Sequence, residues 1–207
     1  AFFIFVSKHI TILLFSESHI KLSKEAGYIE VICGSMFSGK TEELLRRIKR
    51  AEFAKLNTKI FKPSVDIRYC AKDIVSHNKR SIKSIIINNP QEIFEHVTDD
   101  TDLVAIDEAQ FFDESLVYIC NELANKGLRV IIAGLDMDFQ GNPFGSIPQL
   151  LAIAEHVTKV NAICIDCGEN ASFSFRKSEE KDQIKIGEKE EYAPLCRSCF
   201  LKKNNTH

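Results

Sequence analysis

The sequence predicts an α/β fold, a parallel sheet carrying a phosphate-binding loop and followed by a small metal-binding unit. Three observations support this. The run GSMFSGKT at residues 34–41 stands between a strand-like segment and a helical one. Short apolar runs then alternate with amphipathic ones as far as residue 160. Beyond that point, four of the seven cysteines fall into two Cys-x2-Cys pairs. A chain of 207 residues, 44% hydrophobic and 27% charged, suits one globular domain with an appendage. This excludes a disordered, collagenous or multi-span membrane chain. A net charge of −2 gives no bulk basic field for nucleic acid.

Residues 1–27 open with AFFIFVSKHITILLF, whose apolar halves are separated by Lys8 and His9. Neither half approaches the roughly 20 apolar residues that span a bilayer. They read as an extension outside the catalytic fold. Residues 28–33 (YIEVIC) form the first expected strand, and 40–53 a helix burying Leu44, Leu45 and Ile48. Residues 58–61, 103–106 and 128–133 are further apolar strands, with helices expected at 114–125 and 147–156. Such alternation implies parallel strands with helices on both faces. Residues 66–87 break the pattern. Their polar centre at Ser76, His77, Asn78 and Lys79 suggests a hairpin or flap, and His77 reads as an exposed turn residue. The basic cluster Arg46, Arg47, Lys49 and Arg50 reads as a solvated helix face. The boundary between the two units is expected near residue 160, giving a sheet domain at 28–160 and a cysteine-bearing domain at 161–207.

Gly34, Ser35, Met36, Phe37, Ser38, Gly39, Lys40 and Thr41 fit G-x-x-x-x-G-K-[ST] in the strand-to-helix setting that the motif requires. The loop amides and the helix N-terminus favour phosphate oxygens. Lys40 can reach the β- and γ-phosphates of ATP, and the Thr41 hydroxyl can ligate Mg²⁺. Residues 103–106 (LVAI) then run into Asp107 and Glu108. Asp107, at the strand end, is placed to hold Mg²⁺. Glu108 can take a proton from an attacking hydroxyl or orient a water.

Cys164, Cys167, Cys196 and Cys199 supply four thiolates, the ligand set of a closed structural zinc site. Such a site has no open position and no catalytic role. Cys33, Cys70 and Cys120 are scattered among apolar neighbours, which argues for reduced thiols rather than a disulfide framework.

Taken together, the chain resembles the type II thymidine kinase family, the cytosolic and bacterial-type deoxynucleoside kinases. The likeness rests on the Met-Phe-Ser-Gly-Lys inside the phosphate loop, Lys62-Pro63 with Asp66-Ile67-Arg68-Tyr69, and Asp107-Glu108-Ala109-Gln110-Phe111-Phe112. It extends through Gly134-Leu135-Asp136, Phe139-Gln140, Pro143-Phe144-Gly145, the cysteine pairs and Tyr192. Ser174 departs from the family's Thr, and Asn78 from an acidic residue.

The resemblance implies a P-loop sheet domain of the recombinase type with a zinc-bearing lasso that closes over the nucleoside. It implies transfer of the ATP γ-phosphate to the 5′-hydroxyl of thymidine. Glu108 would be the general base, with Lys40 and Arg68 at the reacting oxygens. Asp66, Asp107, Ala109 and Gln110 would join the loop at ATP and Mg²⁺. Met36, Phe111, Leu135, Phe139, Ser174 and Tyr192 would surround the nucleoside, with Arg176 in support. The main chain of Gln183, Ile184, Lys185, Ile186 and Gly187 would read the thymine edge. The same resemblance implies a cytoplasmic homotetramer inhibited by thymidine triphosphate, with no nucleic-acid or membrane partner. The rival reading is a nucleic-acid-dependent P-loop ATPase with a zinc ribbon. Against it stand the short chain, the absence of an arginine-rich finger motif and the lack of a basic track.

Overall fold

A computed structural model describes residues 26–65, 73–75, 81–178 and 191–204. Strands β1 (Tyr28–Gly34), β2 (Thr58–Pro63), β5 (Ile85–Ile87), β6 (Leu103–Ile106), β7 (Arg129–Gly134) and β8 (His156–Val160) form one sheet. Its order is β5-β2-β6-β7-β1-β8 and every pairing is parallel. Helices α1 (Lys40–Phe53), α2 (Ile93–His96), α3 (Ser115–Asn125) and α4 (Ile147–Ile153) complete the unit.

A parallel sheet covered on both faces needs strands that are apolar at nearly every position. The central strands meet that demand, since β6 and β7 are buried throughout. Successive residues point to opposite faces, which divides the interior in two. Val31, Val130, Ile132 and Ile106 pack with Leu116, Ile119 and Ile147 of α3 and α4. Ile32, Ile131 and Ala105 pack with Leu44, Leu45 and Ile48 of α1. The carboxyl ends of β1, β6 and β7 therefore lie side by side and release residues 35, 107 and 135 at one edge, the edge where open α/β sheets bind ligands.

Three local expectations are corrected. The helix expected over 147–156 stops at Ile153, because Ala154 turns extended at ψ 133. His156–Val160 instead becomes the edge strand β8, paired from Glu30↔His156 to Gly34↔Val160. In the 66–87 region, β3 (Asp73–Val75) pairs antiparallel with β4 (Ser81–Lys83), while Ile85–Ile87 leaves that hairpin for the main sheet. Arg46 and Arg50 are exposed as expected, but Arg47 is only 4% exposed. Its Nη1 donates to Glu30 Oε2 at 2.5 Å, and its Nε to Glu43 Oε1 at 2.8 Å. Arg129 Nε donates to the other Glu30 oxygen at 2.6 Å. A single β1 carboxylate thus fastens α1 and β7 to the sheet from within.

The second unit consists of β9 (Ala162–Ile163) paired with β10 (Asn170–Ala171), β11 (Phe173–Arg176) paired with β12 (Tyr192–Leu195), and α5 (Arg197–Asn204). It has its own small core of Ala162, Ala171, Phe173, Leu195 and Phe200, with Phe173 and Phe200 stacked at 4.4 Å. Phe37 and Met137 of the sheet unit pack against it. No helix among the described residues is long and apolar enough to cross a membrane.

The arginine cluster yields a contrast. Glu30→Leu strands two buried guanidinium groups and should cost about 3–5 kcal/mol in denaturant unfolding. Arg46→Ala, on the exposed side of the same helix, should stay within about 0.5 kcal/mol of the parent.

Candidate active site

β1 ends at Gly34, and the chain turns there through Ser35–Gly39 into α1. Phe37 at φ 63 and Gly39 at φ 88 supply the left-handed steps that turn backbone amides toward a common centre. Lys40 curls back so that its Nζ donates to the Ser35 carbonyl at 2.8 Å, and the Ser38 hydroxyl donates to the same oxygen at 2.7 Å. The lysine is largely buried, so its ammonium is held at the loop rather than in bulk water.

Asp107 and Glu108 leave the end of β6 in different directions. The Asp107 amide donates to Phe61 O of β2 at 3.0 Å, and its side chain is buried. Glu108 takes the left-handed conformation at φ 51, unusual for a residue with a side chain, and its amide donates to Asp107 Oδ1 at 3.0 Å. A one-turn 3₁₀ helix, Ala109–Phe111, follows. Within it, Gln110 Nε2 donates to Glu108 Oε2 at 2.6 Å. A narrow cleft of about 60 Å³ is lined by Met36, Phe37, Gly39, Lys40, Thr41, Glu42, Glu108 and Leu135. The phosphate loop, the second acid and two expected nucleoside residues, Met36 and Leu135, therefore share one space. A larger cavity of about 770 Å³ opens at the opposite end of the sheet, around Thr101, Tyr118 and Leu128, and touches none of the expected site residues.

The second unit reaches directly into this region. The Met36 amide donates to Ser174 Oγ at 2.9 Å, and Ser35 Oγ donates to Ala171 O at 3.1 Å. Arg176 is buried with its guanidinium 3.7 Å above the Phe139 ring, and it donates twice to Tyr192 OH, at 2.8 and 3.1 Å. Cation–π stacking and a fork of donors fix both rings together. Phe111 meets Phe144 edge-on at 5.9 Å. Asp136, the residue after Leu135, pairs with Lys159 of β8 at 2.6 Å.

The four cysteine sulfurs lie within 4.8 Å of one another, with Cys167 Sγ and Cys196 Sγ 3.6 Å apart. Zn–S bonds of about 2.3 Å in a tetrahedron require sulfurs about 3.8 Å apart, so the set fits a structural zinc ion. Burial pushes the Cys164 thiol up, but the amides of Cys196, Asp166 and Cys167 outweigh it and bring the thiol down to about 6. Burial and the nearby Asp136 push Cys33 up to about 11, and burial alone raises Cys120. Neither is a poised nucleophile.

A family model described as Thymidine kinase matches residues 27–200. The thymidine kinase of Bacteroides thetaiotaomicron is 57% identical over 190 residues, covering 92% of this chain and 95% of that protein. The thymidine kinase of Porphyromonas gingivalis is 56% identical over 176 residues, covering 85% and 86%. The chain belongs to the thymidine kinase family.

For a family member, the described residues gather Met36, Leu135 and Glu108 at the cleft, and Phe139, Ser174 and Tyr192 beside it. Asp66, Arg68, His77, Cys70 and the segment 183–187 lie outside the described residues. Sequence reasoning missed the Ser35–Ala171 contact and the Asp136–Lys159 pair. Neither has a local signature, because the partners meet only when the second unit and the edge strand dock.

These contacts tie the phosphate loop to the unit that carries the four cysteines. Cys196→Ser should lose zinc and raise KM for ATP together with KM for thymidine. Metal content and steady-state kinetics check both halves.

Proposed function

We infer that this enzyme of the thymidine kinase family transfers the γ-phosphoryl group of ATP to the 5′-hydroxyl of thymidine, giving thymidine monophosphate and ADP. The observation that carries the reading is the single cleft shared by the phosphate loop, Glu108 and Leu135, in a chain 57% identical to a thymidine kinase.

The chemistry follows from these residues. Glu108 accepts the 5′-hydroxyl proton as that oxygen forms its bond to the γ-phosphorus, and the bond to the bridging oxygen of ADP breaks. The loop amides of Gly34–Thr41 bind the phosphates, with Lys40 neutralising charge that builds on the bridging and terminal oxygens. Thr41 and Asp107 are the residues that would hold the Mg²⁺ carried with ATP, which offsets phosphate charge. Arg68 and Asp66 complete the set by family resemblance. Ala109 and Gln110 belong to the same acidic turn.

On the nucleoside side, Met36, Leu135, Phe111 and Phe139 form the walls, and Tyr192, Ser174 and Arg176 brace them. The main chain of residues 183–187 would read the thymine edge. Backbone readout leaves no side-chain signature in composition. The division into an extension at 1–27, a kinase domain at 28–160 and a zinc lasso domain at 161–207 belongs to this reading. Feedback by thymidine triphosphate at the nucleoside site, a homotetramer and a cytoplasmic location complete it, on the strength of the resemblance.

Phosphate transfer from ATP–Mg²⁺ should be selective for thymidine among the four DNA nucleosides. ATP hydrolysis accelerated only by single-stranded DNA would favour the rival ATPase. Glu108→Gln should lower kcat by about 10²–10⁴ while leaving ATP binding intact, as equilibrium titration would show.

A further inference from the structure

Gln110 is 3% exposed, and both ends of its amide are engaged by protein groups. Its Oε1 accepts from the Leu135 amide at 2.9 Å, and its Nε2 donates to Glu108 Oε2 at 2.6 Å. The orientation is chemically forced, because a backbone amide can only donate and an ionised carboxylate can only accept. We propose that Gln110 is a positioning residue that sets the Glu108 carboxylate at a fixed place relative to Leu135, and so aligns the base with the nucleoside wall. The inference rests on Glu108 being the base. It gives Gln110 a part distinct from the nucleotide contact that resemblance suggested.

The surroundings are built for this bridge. A Cβ on Gly134 would stand 2.5 Å from Ile147 Cδ1 and 2.9 Å from Gln110 Oε1, so only glycine leaves the side chain its space. Gly145, at φ +54, lies against the Gln110 backbone, where a Cβ would approach the carbonyl oxygen to 2.3 Å. The Ser146 hydroxyl donates to Ala109 O at 3.4 Å and ties the same turn from a third side. The turn that carries the bridge is thus enclosed. Glu108, held at φ 51, sits in a backbone conformation that persists only when its surroundings determine it. Lys40 and Thr41 face the same cleft, so a carboxylate free to swing would have competing donors there. The bridge commits it to one orientation before substrate arrives, which is where positioning lowers a barrier.

A merely structural glutamine would fasten the β7 exit, and its loss would reduce stability without discriminating between kinetic constants. The isosteric Gln110→Glu separates the two roles. It keeps an oxygen for the Leu135 amide but replaces the donor toward Glu108 with a second carboxylate oxygen.

Under this account Q110E lowers kcat by more than about tenfold, keeps KM for ATP within about twofold, and costs nothing further when added to E108Q. Gln110→Met, which removes the donor without adding charge, gives the same pattern and stands in if Q110E does not fold. Three results would overturn the proposal. The first is Q110E turnover equal to the parent in a protein that E108Q impairs. The second is an equal loss from Q110E in the parent and E108Q backgrounds, since Gln110 would then act independently of Glu108. The third is an unimpaired E108Q, which removes the base itself and the bridge's purpose with it.

Discussion

The hydrogen bond from the Met36 amide to the Ser174 hydroxyl joins a phosphate loop to a strand of the cysteine-bearing unit 138 residues away. With the neighbouring Ser35–Ala171 bond, it makes two units of the chain behave as one site. A single such bond contributes only about 1 kcal/mol. Its weight comes from where it lies. Ser35 is buried, its carbonyl already receives Lys40 and Ser38, and Phe37 on the same loop packs into the zinc unit's core. The loop's shape is therefore tied to β10 and β11, strands that share one small unit with the four cysteines.

The loop is held from its other side by electrostatics inside the sheet. Glu30 on β1 receives Arg47 from α1 and Arg129 from β7, all three nearly inaccessible to water. Buried ion pairs of this sort are weak sources of stability but strong constraints on geometry, since any slippage leaves a charge unpaired. Here the constrained object is α1, whose N-terminus carries Lys40 of the phosphate-loop motif. Arg176 plays a comparable part in the second unit, stacked on Phe139 and forked onto Tyr192.

Much of this was legible in the sequence wherever the signal is contiguous. The phosphate loop, Asp107 at a strand end, the two cysteine pairs and strands β1, β6 and β7 all announce themselves within a few residues. What failed to show depends on distant partners. His156–Val160 alternates half-buried and exposed residues, and only the free edge of β1 makes it a strand rather than a helical turn. Arg47 looked like its neighbours Arg46 and Arg50 until the carboxylate of Glu30 met it from the sheet. Gln110 looked like part of an acidic nucleotide motif, and nothing local reveals that Leu135 and Glu108 occupy both ends of its amide. Ile85–Ile87 read as one arm of a flap because its true partner, β2, lies earlier in the chain.

Hydrogen exchange of the phosphate loop, with zinc bound and after chelation, tests the central dependence most directly. The account predicts that zinc removal exposes the Met36 amide and its loop neighbours to rapid exchange while β6 and β7 keep their protection. Unchanged protection of the loop in a protein shown to have lost its zinc would contradict it.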